Sequence, residues 1–360
     1  MQKINILIVM PSLAGGGAEK VTLSFIENLD NKTFDCSLIL LNSFGPLVPN
    51  IKKENIIDLK KDRFRNAFLL LIKKIILIKP DIVFSTFPHI TVPLLLLRKV
   101  LPTNTFIIAR EPNMISPSLN NSSFSRPLKI LHKLLLPTAD KIIVNSMAMY
   151  QDLHERGVKK NKLNLIHNPI DHVKIRQVKT FNRYPGKGLR LVAMGRLVYQ
   201  KGFDRIIPIL KNLKDVHLTL LGEGIERKNL LESIEIMGLK NNINFKGYVK
   251  NPNKYIAAAD YFILPSRWEG LPNAALESLV LGTPVISFKE VKGLTDIMPN
   301  VDKNKLYLCK NEHEMEILLK SLPIRDDYKN ITLRKNLLNQ FNTPYDYALK
   351  LSNIIKEGIL

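Results

Sequence analysis

Short apolar runs alternate with longer amphipathic stretches along the chain, and this series stops once and then restarts. The alternation is typical of βα units around a parallel sheet, whose strands are buried on both faces. Because the series occurs twice, the sequence predicts two such sheets. The predicted strands are residues 4–10, 36–41, 82–85, 105–110 and 141–145, then 189–195, 217–222, 243–247, 261–266 and 283–287.

A polar, basic stretch rich in proline and glycine, residues 167–188, separates the two series and is typical of a linker. The 360 residues also exceed the roughly 250–300 at which a single core stops growing. The sequence therefore predicts an α/β protein of two doubly wound domains facing a cleft, with the strand carboxyl ends directed at that cleft. The predicted division is a first domain at 1–170, a linker at 171–188, a second domain at 189–341, and a last helix at 342–360 that packs back toward the first domain.

The chain is strongly basic, with 53 Lys and Arg against 32 Asp and Glu and a net charge of +21. Such a charge suits an anionic partner, which could be a nucleic acid, a phosphorylated substrate or a membrane surface. Residues 63–80 and 125–137 combine Leu and Ile runs with Lys and Arg, and both are too short or too charged to span a bilayer. Each is either a helix lying on an anionic membrane or a core-facing helix with a solvated basic side.

The cysteines and the N-terminus bear on location. Cys36 and Cys309 are far apart in apolar surroundings, which argues against a disulfide framework and favours a reducing compartment. The apolar run at residues 4–10 is short for a signal peptide and is better explained as a first buried strand. We therefore expect a cytoplasmic protein, peripherally associated with the inner face of the cytoplasmic membrane.

Glycine-rich turns follow several predicted strands. Gly15, Gly16 and Gly17 come after the first strand and open a helix, whose free N–H groups suit a diphosphate. The stretch matches neither the dinucleotide fingerprint nor a P-loop. In the second series, Gly195 is followed by Arg196 and Lys201, and cations at that position suit diphosphate oxygens.

Two further turns are less specific. Gly222, Glu223 and Gly224 form either a phosphate-binding turn or a helix start whose acidic residue suits the helix dipole. The turn at residues 244–251, which includes Val249, could present backbone groups to a planar base.

Two carboxylates stand close together near the end of the second series. Glu269 lies on a predicted loop and Glu277 about one turn into the following helix. Carboxylates accept hydrogen bonds from hydroxyls, and the N–H groups beside them are donors, so the stretch suits a polyol next to a phosphate. A paired-carboxylate hydrolase site is the alternative.

Together these motifs resemble the retaining, nucleotide-sugar-dependent glycosyltransferases of family 4, which have the GT-B fold of two facing Rossmann-like domains with an interdomain cleft. The resemblance covers nearly the whole chain, and its most specific parts are residues 15–19, 195–202, 222–224 and 269–277, in that order.

The resemblance assigns roles to the residues of these motifs. It implies that Arg196, Lys201 and Glu269 are the catalytic residues and that the two cations hold the donor diphosphate. Glu277 would bind the ribose, and Glu269 with the adjacent backbone would hold the donor sugar. No cofactor and no metal are expected. The full implied donor site comprises Gly16, Gly17, Gly195, Arg196, Lys201, Gly222, Glu223, Val249, Glu269, Gly270, Leu271, Pro272, Asn273 and Glu277.

The acceptor side departs from the family pattern. Relatives often carry a histidine in a segment similar to residues 107–113, where this chain has Arg110, Glu111 and Asn113. His89 follows another predicted strand and could serve instead, although a lone histidine is more often structural. The candidate acceptor residues are therefore His89, Arg110, Glu111 and Asn113.

The expected activity is transfer of a sugar, with retention, from a nucleoside diphosphate donor, most simply a UDP-sugar. The expected acceptor is a lipid-linked saccharide of a bacterial surface polysaccharide such as O-antigen or capsule. An epimerase of nucleotide-sugars on the same architecture is one alternative. A nucleic-acid-binding protein is another, and the sequence disfavours it because no nucleic-acid module is recognisable.

Overall fold

The computed structural model describes residues 2–102, 104–121, 126–177, 188–324 and 341–359. The chain divides into two compact units, Met1–Pro169 together with Asn342–Leu360, and Ile170–Phe341. Each unit is built on one sheet in which every neighbouring pair of strands is parallel. We call them the first and second domains.

The sheet of the first domain has the strand order β3-β2-β1-β4-β5-β6-β7 within the described residues. Because β1 pairs with β2 on one side and β4 on the other, the connections leave β1 and β4 in opposite directions and a crevice forms at their carboxyl ends. The strands are β1 Ile4–Met10, β2 Phe34–Leu40, β3 Ile56–Asp58, β4 Ile82–Thr86, β5 Phe106–Arg110, β6 Lys141–Val144 and β7 Leu163–Leu165.

Helices cover the first sheet, and the last of them comes from the end of the chain. This last helix, α14, packs against α1, where the rings of Phe25 and Tyr347 are 6.4 Å apart, and Leu351 and Ile355 complete the same apolar core. The helices of this domain are α1 Gly17–Glu27, α2 Phe64–Ile78, α3 Pro88–Leu96, α4 Ile115–Asn121, α5 Arg126–Leu135, α6 Met147–Glu155 and, after the second domain, α14 Pro344–Ile359.

The sheet of the second domain has the order β10-β9-β8-β11-β12-β13 among the described residues, so its order reverses between β8 and β11. Separate apolar cores lie on its two faces. The strands are β8 Leu189–Met194, β9 Val216–Leu221, β10 Ile243–Gly247, β11 Tyr261–Leu264, β12 Val285–Phe288 and β13 Leu306–Cys309. The helices of this domain are α7 His172–Arg176, α8 Phe203–Lys211, α9 Arg227–Ile236, α10 Asn253–Ala258, α11 Asn273–Leu281, α12 Lys292–Ile297 and α13 Glu312–Ser321.

Helix α7 lies inside the predicted linker at 171–188. It packs against α11, and its Ile175 is buried in a core of the second domain. This part of the chain is therefore packed onto the second domain, and residues 178–187 of the predicted linker lie outside the described residues.

All ten predicted strands are present, with bounds that differ by at most two residues. Three further strands, β3, β7 and β13, were not predicted. Each is three or four residues long and lies at the edge of its sheet, so it lacks the long apolar run that marks a strand buried on both sides. In the part of the chain that is described, no helix is both long and apolar enough to cross a bilayer.

Candidate active site

Three of the predicted donor residues lie where the strand order of the second sheet reverses. The connection after β8 carries Arg196 and Lys201, and the connection after β11 carries Glu269. Because β8 and β11 are neighbours, these two connections start side by side and diverge, which is where open α/β sheets bind ligands. The fold thus brings together residues that are 68 positions apart along the chain.

Lys201 and Glu269 form a close ion pair at this point. The Lys201 ammonium donates to Glu269 Oε1 at 2.5 Å, and the Glu269 residue is only 6% exposed. Two neutral donors also reach this carboxylate, Ser266 Oγ at 2.8 Å from Oε1 and Gln200 Nε2 at 3.2 Å from Oε2. The buried negative charge is therefore both balanced by a cation and hydrogen-bonded, as a buried charge requires.

Two glycines make this contact sterically possible. A Cβ atom at Gly195 would lie 3.3 Å from Lys201 Cδ, so the lysine stem passes over the glycine backbone. Gly202, which precedes α8, has a φ of 64°, and a Cβ there would overlap the carbonyl oxygen of Pro265 after β11. Only glycine accepts both this backbone conformation and this close approach.

Arg196 is the cation of this loop that remains available. Its side chain is exposed and, among the described residues, makes no ion pair or hydrogen bond. The neighbouring Arg267 is already engaged: it bonds both oxygens of Asp204, at 2.8 and 2.5 Å, and its guanidinium stacks on the Tyr199 ring. Burial alone would raise the pKa of Asp204, but the hydrogen bonds and charge of Arg267 hold that pKa below its usual value.

The backbone of the loop that follows Glu269 is buried and is supported by a neighbouring helix. Gly270, Leu271 and Pro272 are buried, and α11 begins at Asn273. A Cβ atom at Gly293 of α12 would overlap the Gly270 carbonyl oxygen, so this helix supports the loop backbone directly. Glu277 is half-buried in the second turn of α11.

The predicted turn after β9 adjoins the turn after β8. Gly222 has a φ of 136°, and a Cβ there would overlap the carbonyl oxygen of Gly195. Glu223 is exposed and accepts a hydrogen bond from Arg227 Nη1 at 2.6 Å. Val249 is half-buried and packs against one of the apolar cores of this domain.

In the first domain, the glycine-rich turn lies at the end of β1, beside the reversal of that sheet. Gly16 is the N-cap residue of α1 and Gly17 its first residue. The carboxylate of Glu19 lies over Gly16, since a Cβ added to this glycine would be 3.1 Å from Glu19 Cδ. The negative charge that the helix dipole favours at this helix start is therefore supplied by Glu19 itself, in the first turn of α1.

The acceptor candidates lie in the first domain with different surroundings. His89 is half-buried between the rings of Phe64 and Phe87, whose centres are 6.3 and 5.8 Å from its own, and burial lowers its pKa. A histidine with a lowered pKa is neutral at pH 7. Asn113 is half-buried, and its Oδ1 accepts a hydrogen bond from Met114 N–H.

Arg110 and Glu111 are both inside the first domain, each about 2% exposed. Arg110 Nη2 donates to Asn168 Oδ1 at 2.9 Å, and Glu111 Oε1 is 3.1 Å from Nε2 of the equally buried His132. In this structure the two side chains bond to internal partners. His132 was not predicted as a site residue, because in the basic segment 125–137 a single histidine has no sequence signal that distinguishes it from its neighbours.

Two family models match the chain. One, described as Glycosyltransferase Family 4, matches residues 15–174, and the other, described as Glycosyl transferases group 1, matches residues 175–322. The chain is a family 4 glycosyltransferase. The family resemblance predicted from the motifs is confirmed, and the epimerase and nucleic-acid-binding alternatives have no support from these matches.

Several named relatives are similar to this glycosyltransferase over most of its length. A Campylobacter jejuni N-acetylgalactosamine-N,N'-diacetylbacillosaminyl-diphospho-undecaprenol 4-alpha-N-acetylgalactosaminyltransferase is 27% identical over 357 residues, covering 92% of this chain and 93% of its own. The amylovoran biosynthesis glycosyltransferase AmsD of Erwinia amylovora is 26% identical, covering 82% of this chain and 83% of its own.

Solved structures share the fold of the glycosyltransferase. Anabaena Alr3699/HepE, solved in complex with UDP and glucose, superimposes with a TM-score of 0.74 at 17% identity and covers 98% of this chain and all of its own. The sucrose-phosphate synthase of Thermosynechococcus elongatus gives a TM-score of 0.79 at 15% identity, covering 99% of each chain. The predicted GT-B fold of two Rossmann-like, parallel-sheet domains is confirmed.

Among the described residues, no group of three or more His, Cys, Asp or Glu side chains is placed to hold a metal ion. The charged residues at the reversal point of the second sheet include Arg196, Lys201 and Glu269.

Proposed function

We propose that the glycosyltransferase moves a sugar from a UDP-sugar to a lipid-linked saccharide of a bacterial surface polysaccharide, with retention of the anomeric configuration. The observation that carries the proposal is the Lys201–Glu269 pair beside the available Arg196, at the reversal point of the second sheet. The names of relatives support the substrates: the Campylobacter enzyme is named for a saccharide on undecaprenol diphosphate, and HepE was solved with UDP and glucose.

We assign the diphosphate and the ribose of the donor to different residues of this site. Arg196 and Lys201 would bind the diphosphate and stabilise the charge that develops on it as the sugar leaves, the effect that usually contributes most to catalysis. Glu277 would accept hydrogen bonds from the ribose, and the N-terminal N–H groups of α11 would lie near the phosphates.

Glu269 has one acceptor position to offer the sugar. An ionised carboxylate has about four lone-pair positions, and Lys201, Ser266 and Gln200 use three of them. One sugar hydroxyl can occupy the fourth. Because its charge is already matched by Lys201, we assign Glu269 to orienting the sugar and not to covalent attack. Retention would then follow from attack on the same face that the diphosphate leaves, with the departing phosphate accepting the acceptor's proton.

Acceptor dependence tests the proposed function. We expect UDP-sugars from a panel to raise the unfolding temperature, since ligand at 100 times its Kd adds about 2.7 kcal/mol to the free energy of unfolding. The stabilising UDP-sugar should react only when a lipid diphosphate-linked saccharide is added, and NMR should show the donor's anomeric configuration in the product. Chelator should leave transfer unchanged.

Other outcomes of this experiment would contradict the proposal. Conversion of the UDP-sugar without acceptor would indicate an epimerase. Loss of transfer in chelator, restored by manganese, would indicate a metal-dependent reaction.

We also propose that the first domain binds an anionic membrane surface. Helices α2, α3 and α5 are neighbours, and each exposes large apolar side chains, including Leu77 at 73% and Leu134 at 63% exposed. Helix α2 also buries part of its apolar side in the core, but the buried residue of α5 is His132, while Ile130 and Leu134 face outward. Leu128, Leu131 and Leu135 of α5 are half-buried, so a core-facing role accounts for one side of this helix. It does not account for the exposed Ile130 and Leu134, whereas a basic interfacial helix does.

Neutralising the lysines of this surface should release the protein from vesicles. We expect the combined change of Lys73, Lys74, Lys129 and Lys133 to Gln to weaken sedimentation with anionic vesicles strongly, because each charge contributes on the order of 1 kcal/mol near such a surface. The control changes four exposed lysines elsewhere in the first domain, Lys3, Lys32, Lys53 and Lys159. Equal sedimentation of the two variants would contradict membrane binding through these helices.

A further inference from the structure

A cavity lies in the second domain, at the free edge of its sheet. It measures about 1000 Å³ and is bordered by β9, β10 and helix α10. Its lining runs from Arg190 and His217, near the beginning of β8 and β9, to Lys246 near the end of β10. Among the described residues, Arg196, Lys201 and Glu269 are not part of this lining. The cavity is therefore separate from the donor site.

The sheet surface at this cavity is polar on one face only. Successive residues of a strand point to opposite faces, and one face of β8, β9 and β10 places Leu191, Leu218 and Ile243 in the apolar core. The other face presents polar residues in register: Arg190 is opposite His217, and Thr219 is opposite Asn244. The same face carries Val192 and Leu221 of the other apolar core, so the polar residues lie beside that core and toward the free edge of the sheet.

Arg190 has hydrogen-bonding capacity that the protein leaves unused. The residue is 3% exposed, and its Nε and Nη2 bond to Asp260 at 3.0 and 2.9 Å. Its third nitrogen, Nη1, is buried and has no hydrogen-bond partner among the described residues. Since a buried donor without a partner is costly, this nitrogen in the lining of a cavity points to an external acceptor.

The charge of the lining is positive. Four cations border the cavity, and together they outnumber the carboxylates of Glu235, also in the lining, and of Asp260 by two. A guanidinium suits phosphate oxygens, and the hydroxyl, imidazole and amide beside it suit sugar hydroxyls. The four cations are Arg190, Lys240, Lys246 and Lys254.

We propose that this cavity is a second binding site, separate from the donor site, for a phosphate-bearing saccharide. The phosphate contacts Arg190 Nη1, and the sugar ring lies along the polar face formed by His217, Thr219 and Asn244, in the direction of Lys246. Both the phosphate and the sugar contribute to binding, so neither inorganic phosphate nor a neutral sugar should bind as tightly as a sugar phosphate.

Calorimetry on a variant with a disabled donor site tests this second site. Glucose 6-phosphate, glucose and inorganic phosphate are titrated into full-length protein carrying Arg196→Ala and Lys201→Ala. Glucose 6-phosphate should bind tightest. Adding Lys246→Glu should weaken it at least about tenfold, because it replaces a cation of the lining with an anion. Lys211→Glu, the same change on an exposed residue of α8, should leave binding unchanged.

A second variant distinguishes loss of the binding site from misfolding. Arg190→Lys keeps a cation beside Asp260 but removes the planar fork, so it should also weaken glucose 6-phosphate binding while the fold is retained. The proposal is overturned if glucose 6-phosphate does not bind, if it binds no better than inorganic phosphate, or if Lys246→Glu has no effect. UDP titration of the wild-type protein separates this result from the proposed function, since failure to bind UDP would contradict only the latter.

Discussion

Replacing Lys201 with alanine should lower kcat/KM for sugar transfer by about 10- to 150-fold. A hydrogen bond to a charged group is worth about 1.5–3 kcal/mol, and each 1.36 kcal/mol changes a rate tenfold. The same substitution leaves Glu269 buried without its cation, which should lower the free energy of unfolding by about 3 kcal/mol. Transfer assays and denaturant unfolding measure the two effects separately.

Two further variants show which part of this loss is catalytic. Lys201→Ala combined with Glu269→Gln should recover much of the stability, because no uncompensated buried charge remains, but transfer should stay low. Arg196→Ala should lower transfer at least about tenfold with little change in stability, since Arg196 is exposed and makes no ion pair among the described residues. Wild-type kcat/KM in Lys201→Ala would show that this lysine does not act on the donor.

Glu269→Gln and Glu277→Gln should impair the enzyme in different ways. Glu269→Gln removes a negative charge next to Lys201, so the lysine attracts the diphosphate at least as strongly and UDP binding should be unchanged or tighter. Its kcat should nevertheless fall about 10- to 100-fold, because the sugar loses an orienting contact where small displacements are costly. Glu277→Gln should weaken UDP and UDP-sugar equally, since both contain the ribose and an amide is a weaker acceptor than a carboxylate.

Calorimetry with UDP and a UDP-sugar, together with a transfer assay, separates these roles. If Glu269→Gln abolishes UDP binding while Glu277→Gln leaves it intact, the two assignments are reversed. Normal transfer by both variants would place the active site elsewhere.

The sequence predicted the architecture well because buried parallel strands leave a strong signal. Each long strand is a continuous apolar run, and the residues that end it lie at the sheet edge that binds ligands. Lys201 and Glu269 could therefore each be placed at that edge from their positions after two strands, and the family resemblance assigned them to one donor site. That they contact each other directly could not be predicted, since the contact depends on side-chain positions and not on sequence spacing.

The residues that bond to Glu269 and Glu111 were also not predicted, because those contacts depend on side-chain positions as well. Gln200 and Ser266 are ordinary loop residues, and only the structure shows both donating to Glu269. His132 faces the protein interior and bonds to Glu111, although periodicity alone gives no sign of which side of α5 is covered. Hydrophobic spacing gives the period of a helix; what each side contacts depends on the rest of the fold.

The position of α14 has a consequence for how the protein is made. The core of the first domain contains Phe25 near its beginning and Tyr347, Leu351 and Ile355 after the whole second domain. A ribosome that adds 5–20 residues per second needs roughly 15–60 s to travel from the first of these residues to the last group. During that time the apolar side of α1 lacks its covering helix, so the nascent first domain is most exposed to aggregation and chaperone binding while the second domain is being synthesised.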